Sequence, residues 1–403
     1  MRRLPGITHL ECALIFLATF SLPFNGTMAL RLTCLAGLLT LALLKRNRNG
    51  LAFRLEWPLA LWFCIPPLSV LWSLAPQASA RELGQDILYP LLAFLSLRLL
   101  ATDERNYRSA LWGSVLGLTC IVAIGSVRQW NNPAYDWYQL AHGWGQFSTL
   151  LVMGMVSVLV LMIQSYGNRQ YKQLVGVAVL GAGFLLGGYL MQNRMFWLST
   201  AVICAMASLF VLWRQEFAAQ RKWLLGVLSC AGFALLGLFW LVARSKPANY
   251  LDTSLGNSVG ASLTHNERFE LWAFWLNKAM EHPWLGIGFG RDLPRDLFFH
   301  LKPENWHPMQ FAHAHNVFVD VLVQMGFVGL ACFVLMLCGL CALFMRHLRS
   351  PLQTGVAALA GISLVLGMLS KNLSDDFYTR TPLFMFWMLL GVMLAQIDKA
   401  SRK

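Results

Sequence analysis

The stretch FAHAHNVFVDVLVQMGFVGL, residues 311–330, decides the fold. It opens an apolar run long enough to cross a bilayer, yet it begins with His313, His315 and Asn316. A helical pattern over 313–345 covers 33 residues. At 1.5 Å per residue that is about 50 Å, against a hydrocarbon core of roughly 30 Å. The excess predicts that the helix either projects beyond the membrane or breaks near Gly326, with His313, His315 and Asn316 outside it, at the mouth of a bundle. On a continuous helix Gly326 lies under His315, with Gly329 close to the same stripe, and small residues there let a neighbouring helix approach. That turns His315 toward a protein cavity, and puts Asp320 one turn from Asn316, where it can orient that side chain.

The rest of the chain agrees with a membrane setting. Of its 403 residues 57% are hydrophobic and 13% charged, about half the charge of a typical soluble protein. Apolar runs recur at about 7–24, 28–44, 57–74, 84–101, 109–127, 145–164, 174–191, 195–213, 223–243, 322–345, 353–370 and 381–398. Backbone groups have no partners in lipid, so such spans must be helices. The expectation is an all-α integral membrane protein of about twelve transmembrane helices, one polytopic domain over 1–403. The first run follows Met1-Arg2-Arg3 and a second follows almost at once, as in an uncleaved anchor.

A net charge of +13 raises the question of nucleic acid, but its distribution answers otherwise. One set of connections is rich in Lys and Arg, among them Lys45, Arg46, Arg48 and Arg54, and Lys399, Arg402 and Lys403. The short connections of the other side hold Arg81, Arg128, Arg194, Lys371 and Arg380. The positive-inside rule then places both termini in the cytoplasm. None of the nine cysteines falls in an outward loop, so no disulfide framework is implied, and the Cys338/Cys341 pair lies in an apolar helix that disfavours the thiolate.

Only one connection is long: residues 244–312, an outward insertion between spans nine and ten. Within it Arg268, Trp272, Trp275 and Ala279 recur on one face of a helix about 265–281 that can lie on the membrane surface. Pro283 ends that helix, and GIGFG (Gly286, Gly288, Gly290) reads as a tight turn, since no βαβ pattern surrounds it. A second outward loop, about 128–143, is rich in Trp and Tyr, as interfacial belts are.

Three outward arginines stand beside helix-start signals. Ser79 and Glu82 have capping-box spacing around Arg81, Asn193 can cap a helix that opens with Arg194, and Thr264 and Glu267 repeat the box before Arg268. Helix N-termini favour anions, and a guanidinium fork matches phosphate oxygens. Either these arginines hold a pyrophosphate-sized anion at the outer leaflet, or each snorkels to lipid headgroups. His313 and His315, two apart on a helix, point to different faces and do not make a metal pair. His315 is instead the outward residue best suited to general-base work near neutral pH, or an interfacial histidine satisfied by headgroups.

His315-Asn316, nine residues, Gly326, two residues and Gly329 match the H-[NSQ]-x9-G-x2-[GTY] pattern of O-antigen ligases. The chain resembles that family and its wider superfamily of O-antigen polymerases and pilin O-oligosaccharyltransferases. Asn193-Arg194-Met195-Phe196-Trp197 is similar to its arginine-aromatic segment. Arg268 and Trp272 running into Pro283, Gly286 and Gly288 are similar to a second motif. The resemblance implies a GT-C-like membrane glycosyltransferase of the bacterial inner membrane, with no metal or cofactor and an active site facing the periplasm. It implies transfer of O-antigen polysaccharide from undecaprenyl pyrophosphate to a lipid A–core sugar hydroxyl, with inversion. Carried onto this sequence, Arg194 and Arg268 hold the diphosphate, with Arg81 beside them. His315 is the base, Asn316 orients the base or the acceptor, and Asp375 or Asp376 resembles an acidic family position. His313, Asp375, Asp376 and Trp272 are acceptor-side candidates. A polymerase or pilin transferase of the same superfamily is the alternative reading. A twelve-span transporter is the alternative of another class, but Glu11 and Arg31 are the only charges well inside spans.

Overall fold

The computed structural model describes residues 5–49, 54–132, 138–141, 143–191, 193–222, 226, 232–233, 237, 265–304, 306, 308, 310–376 and 378–401. Among these the regular structure is entirely helical. In chain order the helices are α1 Pro5–Ser21, α2 Met28–Asn49, α3 Trp57–Ser69, α4 Pro76–Leu83, α5 Tyr89–Leu100, α6 Glu104–Asn131 and α7 Trp144–Gly167. They continue with α8 Tyr171–Leu190, α9 Arg194–Trp213, α10 His265–Ala279, α11 Leu293–Phe298, α12 Val317–His347, α13 Leu352–Asn372 and α14 Arg380–Ala400. Nine helices among the described residues are long and apolar enough to cross a membrane, α4 and α5 counting as one through the π turn Gly84–Leu88. The shorter apolar helices α1 and α3 stand at two more predicted spans. The chain is an all-α integral membrane protein. The predicted span 223–243 and residues 244–264, with Thr264 of the second capping box, fall almost wholly outside the described residues.

Close packing in lipid depends on small residues rather than on a hydrophobic effect. At Gly113 and Gly117 of α6 an added Cβ would run into the backbone of Phe16 and Phe20 on α1. Phe63 and Phe94 meet Trp387 of α14 at ring separations of 4.6 and 5.5 Å. At the far end of α14, Arg98 of α5 is 5% exposed and bonds both Asp398 (2.8 Å) and Glu56 (2.6 Å). The two intramembrane charges are tied structurally: Glu11 accepts from Asn106 at 2.7 Å, and Arg31 donates to the carbonyls of Leu22 and Phe24.

α12 is broken, one of the two outcomes that its excess length allows. Gly326 takes φ 62°, ψ −166°, a conformation essentially confined to glycine. The break strips the carbonyls before it and the N–H groups after it of their helical partners. Residues 283–288 replace them. Ile287 N–H donates to the Val323 carbonyl (3.1 Å) and Gly288 N–H to that of Gln324 (2.8 Å). The carbonyls of Pro283 and Trp284 accept from Phe327 N–H (2.7 Å) and Val328 N–H (3.1 Å). The expected tight turn is thus a strap docked backbone to backbone on the helix break. A Cβ on Gly286 would strike the Gln324 backbone, and one on Gly326 the Trp284 backbone.

Two expectations are corrected here. α12 begins at Val317, so His315 lies before the helix and shares no stripe with Gly326 and Gly329. α10 does not lay its Trp275 face on a membrane surface. Leu271, Trp275 and Ala279 are buried with Phe311, Ala314, Val319, Leu322 and Val323, because the strap brings α10 back against the half of α12 that precedes Gly326. Its exposed apolar side chains are Phe269 and Leu276, with Met280 just past its end.

Candidate active site

The site is built at the N-terminal start of α12. Asn316 caps that helix, its side-chain oxygen accepting from the N–H groups of Phe318 (2.9 Å) and Val319 (3.3 Å). Its amide nitrogen donates to the Leu373 carbonyl at 3.0 Å, which joins this turn to the loop between α13 and α14. The expected pairing of Asn316 with Asp320 does not form. Asp320 instead accepts from the Ala314 N–H at 2.8 Å. Trp272 of α10 donates from Nε1 to the Ala314 carbonyl (2.9 Å). Held from both sides, His315 adopts φ 52°, a left-handed conformation that costs a non-glycine residue about 1–3 kcal/mol.

That turn aims the imidazole at the neighbouring loop. His315 Nδ1 lies 3.3 Å from Asp375 Oδ1, and Lys371 Nζ, fully buried at the end of α13, lies 3.5 Å from Asp375 Oδ2. Burial raises the Asp375 carboxyl, but the Lys371 charge and the His315 hydrogen bond outweigh it and hold the group below the usual carboxylate range. With Nδ1 turned to a carboxylate, His315 Nε2 is buried and has no hydrogen-bond partner among the described residues. An imidazole so oriented can take a proton at Nε2 while the carboxylate stabilises the resulting cation.

His313 packs on the same ring, 4.0 Å between centroids, and its Nδ1 accepts from the His315 N–H at 3.1 Å. Burial, then the charges of His315 and Arg291, push its pKa well below the ordinary histidine value, so it stays neutral. The two rings are therefore neighbours in a loop, not on opposite helix faces as expected. Two buried donor sets result, His313/His315/Asp375 and His313/Asp320/Asp376, each with atoms within 4.8 Å of one another. The first is already satisfied by protein groups, since Asp375 is shared between His315 and Lys371, and the second feels the Arg291 cation.

Arg268 and Arg194 complete the cluster. Arg268, half-buried on α10, feels the charges of Asp375 and of Arg194, and Lys371 in turn feels Arg268. Burial lowers the Arg268 pKa, but a guanidinium stays charged. Arg194 is the exposed first residue of α9, and Asn193 caps that helix as predicted, accepting from Met195 N–H (3.1 Å) and Phe196 N–H (3.3 Å). Arg81 departs from expectation. α4 starts at Pro76 with no side-chain cap, Ser79 is buried against Ser73 (2.7 Å), and Arg81 sits exposed in the last turn. Glu82 pairs instead with Arg380 at 2.8 Å. Sequence reasoning missed the Lys371–Asp375 pairing, whose i, i+4 spacing was its one visible signal, and Arg291, which faces His313 and Asp376.

At one end of a broken spanning helix the fold thus gathers a histidine, a carboxylate and two arginines. A family model described as O-antigen ligase matches residues 177–334, which include Arg194, Arg268, His313, His315 and Asn316. An O-antigen ligase of Pseudomonas aeruginosa is 25% identical over 342 residues, covering 81% of this chain and 74% of that one. Over those residues the chain is similar to the O-antigen ligase family.

Proposed function

We propose that this protein transfers O-antigen polysaccharide from undecaprenyl pyrophosphate to a sugar hydroxyl of lipid A–core, at the periplasmic face of the inner membrane. The observation that carries the reading is the His315–Asp375 pair, with an unpartnered Nε2, beside Arg268 and Arg194. In this reaction the acceptor hydroxyl gives its proton to His315 Nε2 as its oxygen attacks the anomeric carbon. The bond from that carbon to the diphosphate breaks on the opposite face, so the centre inverts. Negative charge grows on the departing diphosphate, and preorganised guanidinium groups stabilise it. Asp375 fixes the imidazole and balances its positive charge, a role that replaces the acceptor contact expected of it. Asn316 positions the base through α12 and Leu373 rather than touching substrate. Both substrates carry long hydrocarbon chains, polyprenyl on the donor and acyl on the acceptor, which brings them to a site at the bilayer surface. Arg81 lacks the helix-start context that recommended it and is left out of the diphosphate site. No step calls for a metal or cofactor.

The test is reconstitution in liposomes with lipid-linked polysaccharide and two acceptors, truncated lipopolysaccharide and pilin. His315→Ala and Arg268→Lys are expected to accumulate in the membrane yet attach no polysaccharide, the second because lysine keeps the charge and loses the fork. Activity is expected to survive EDTA. Normal ligation by both variants would refute the site. Transfer to pilin alone, or chain elongation without an acceptor, would move the protein to another branch of the superfamily.

A further inference from the structure

Beneath the reacting histidine lies a second pair of buried acids that the proposed reaction does not use. Asp320, in the first turn of α12, and Asp376, in the loop before α14, are 3% and 6% exposed. Each spends one oxygen on a backbone N–H: Asp320 Oδ1 accepts from Ala314 (2.8 Å) and Asp376 Oδ1 from Tyr378 (3.1 Å). The two side chains then lie side by side, one oxygen of each within 4.8 Å of the other and of a His313 ring nitrogen. Asp320 Oδ2 is buried with no donor among the described residues. Its other near neighbour, His313 Nδ1 at 3.8 Å, is itself an acceptor for the His315 N–H. A buried acceptor facing only acceptors costs a lost hydrogen bond, and two buried carboxylates side by side do not both ionise.

We infer that Asp320 and Asp376 share a single proton, and that this acid–carboxylate clasp positions His315 against Asp375. The geometry explains how. Asp320 holds Ala314, the residue before His315, and Asp376 follows Asp375, with its own N–H donating to Asp375 Oδ1 (3.2 Å). The clasp thus ties the loop bearing the base to the loop bearing its carboxylate. The charged or titratable groups facing it are His313, held neutral, Asp375, and Arg291, whose cation balances the one negative charge the pair retains. Burial raises the Asp376 pKa despite Arg291, in keeping with a retained proton. A raised folded-state pKa contributes most in acid and its contribution is lost as pH rises through that value.

The clasp has a signature that a mere polar contact lacks. One Asn mimics the protonated partner, with its amide oxygen on the backbone N–H and its NH2 donating across the pair. Two Asn put NH2 against NH2. Asp320→Asn and Asp376→Asn should each melt close to wild type in detergent. Asp320→Ala, Asp376→Ala and the double Asn should melt much lower. Each single Asn should also keep at least about tenfold more ligation than its Ala counterpart. Difference infrared spectra should show a buried protonated carboxyl that vanishes in either single Asn, and the loss of thermal stability with rising pH should flatten in Asp376→Asn. The ligation arm rests on the proposed reaction, whereas melting and infrared do not. A protein that keeps the carboxyl band but transfers no polysaccharide sinks the reaction alone. Single Asn variants as damaged as the Ala ones, absence of the protonated band, or a stoichiometric divalent cation released on Asp320→Asn would overturn the clasp.

Discussion

Replacing Gly326 by Ala tests whether the strap on the α12 break holds the site in place. A Cβ at Gly326 would lie well inside 3.0 Å of the Trp284 carbonyl carbon and oxygen, which are backbone atoms and cannot swing aside. The φ 62°, ψ −166° backbone adds strain of about 1–3 kcal/mol once a side chain is present. Relieving the overlap moves the strap away, and with it the four backbone hydrogen bonds of residues 283–288. At about 0.5–1.5 kcal/mol each, they contribute roughly 2–6 kcal/mol. The total, about 3–9 kcal/mol, is of the same order as the net stability of a whole domain, about 5–15 kcal/mol. The assay is melting of the detergent-solubilised protein by tryptophan fluorescence, with Trp272, Trp275 and Trp284 all close to the affected contacts. Gly183→Ala is the control. It lies on α8 with nothing within 4 Å of its Cβ, and in a helix Ala is favoured over Gly by up to about 1 kcal/mol. A Gly326→Ala protein that melts with the control and ligates normally would refute the reasoning.

Two more outcomes follow from the site. Asp375→Asn removes a charged hydrogen-bond partner worth about 1.5–3 kcal/mol, so transfer should slow by about 10- to 150-fold. Because the folded-state pKa of Asp375 is depressed, its contribution to stability is present above the usual carboxylate range and is lost as pH falls through the depressed value. The melting gap between wild type and Asp375→Asn should therefore narrow in acid, and a gap independent of pH would contradict the pairing. Asn316→Ala loses a helix cap, worth about 0.5–2 kcal/mol, together with the tether to Leu373. Melting should fall accordingly, and an unchanged melting temperature would show that the cap carries no load.

Much of the fold was legible because lipid leaves the backbone few choices. Each apolar run outside 223–243 became a helix, and the surplus length over 313–345 called for either a projecting helix or a break near Gly326, of which the break formed. Asn193 was readable as a cap because that signal is local. Non-local pairings were not readable. Asp375 lies sixty residues from His315, and nothing in KNLSDDFY says which acid turns toward the base. SARE satisfied a capping pattern yet failed, because Pro76 starts α4 a turn earlier and draws Ser79 into the interior. The Trp275 face of α10 had the spacing of a surface helix, but its destination depended on the strap, which only the folded backbone reveals.

The strap also bears on how this protein can be re-engineered. Residues 283–288 belong to the long connection before α12, but their hydrogen-bond partners, 323–328, belong to a spanning helix. The insertion is therefore no interchangeable module. A chimera that borrows residues 244–312 from a relative to change acceptor choice should take that relative's helix break with them, or the graft will arrive with no seat.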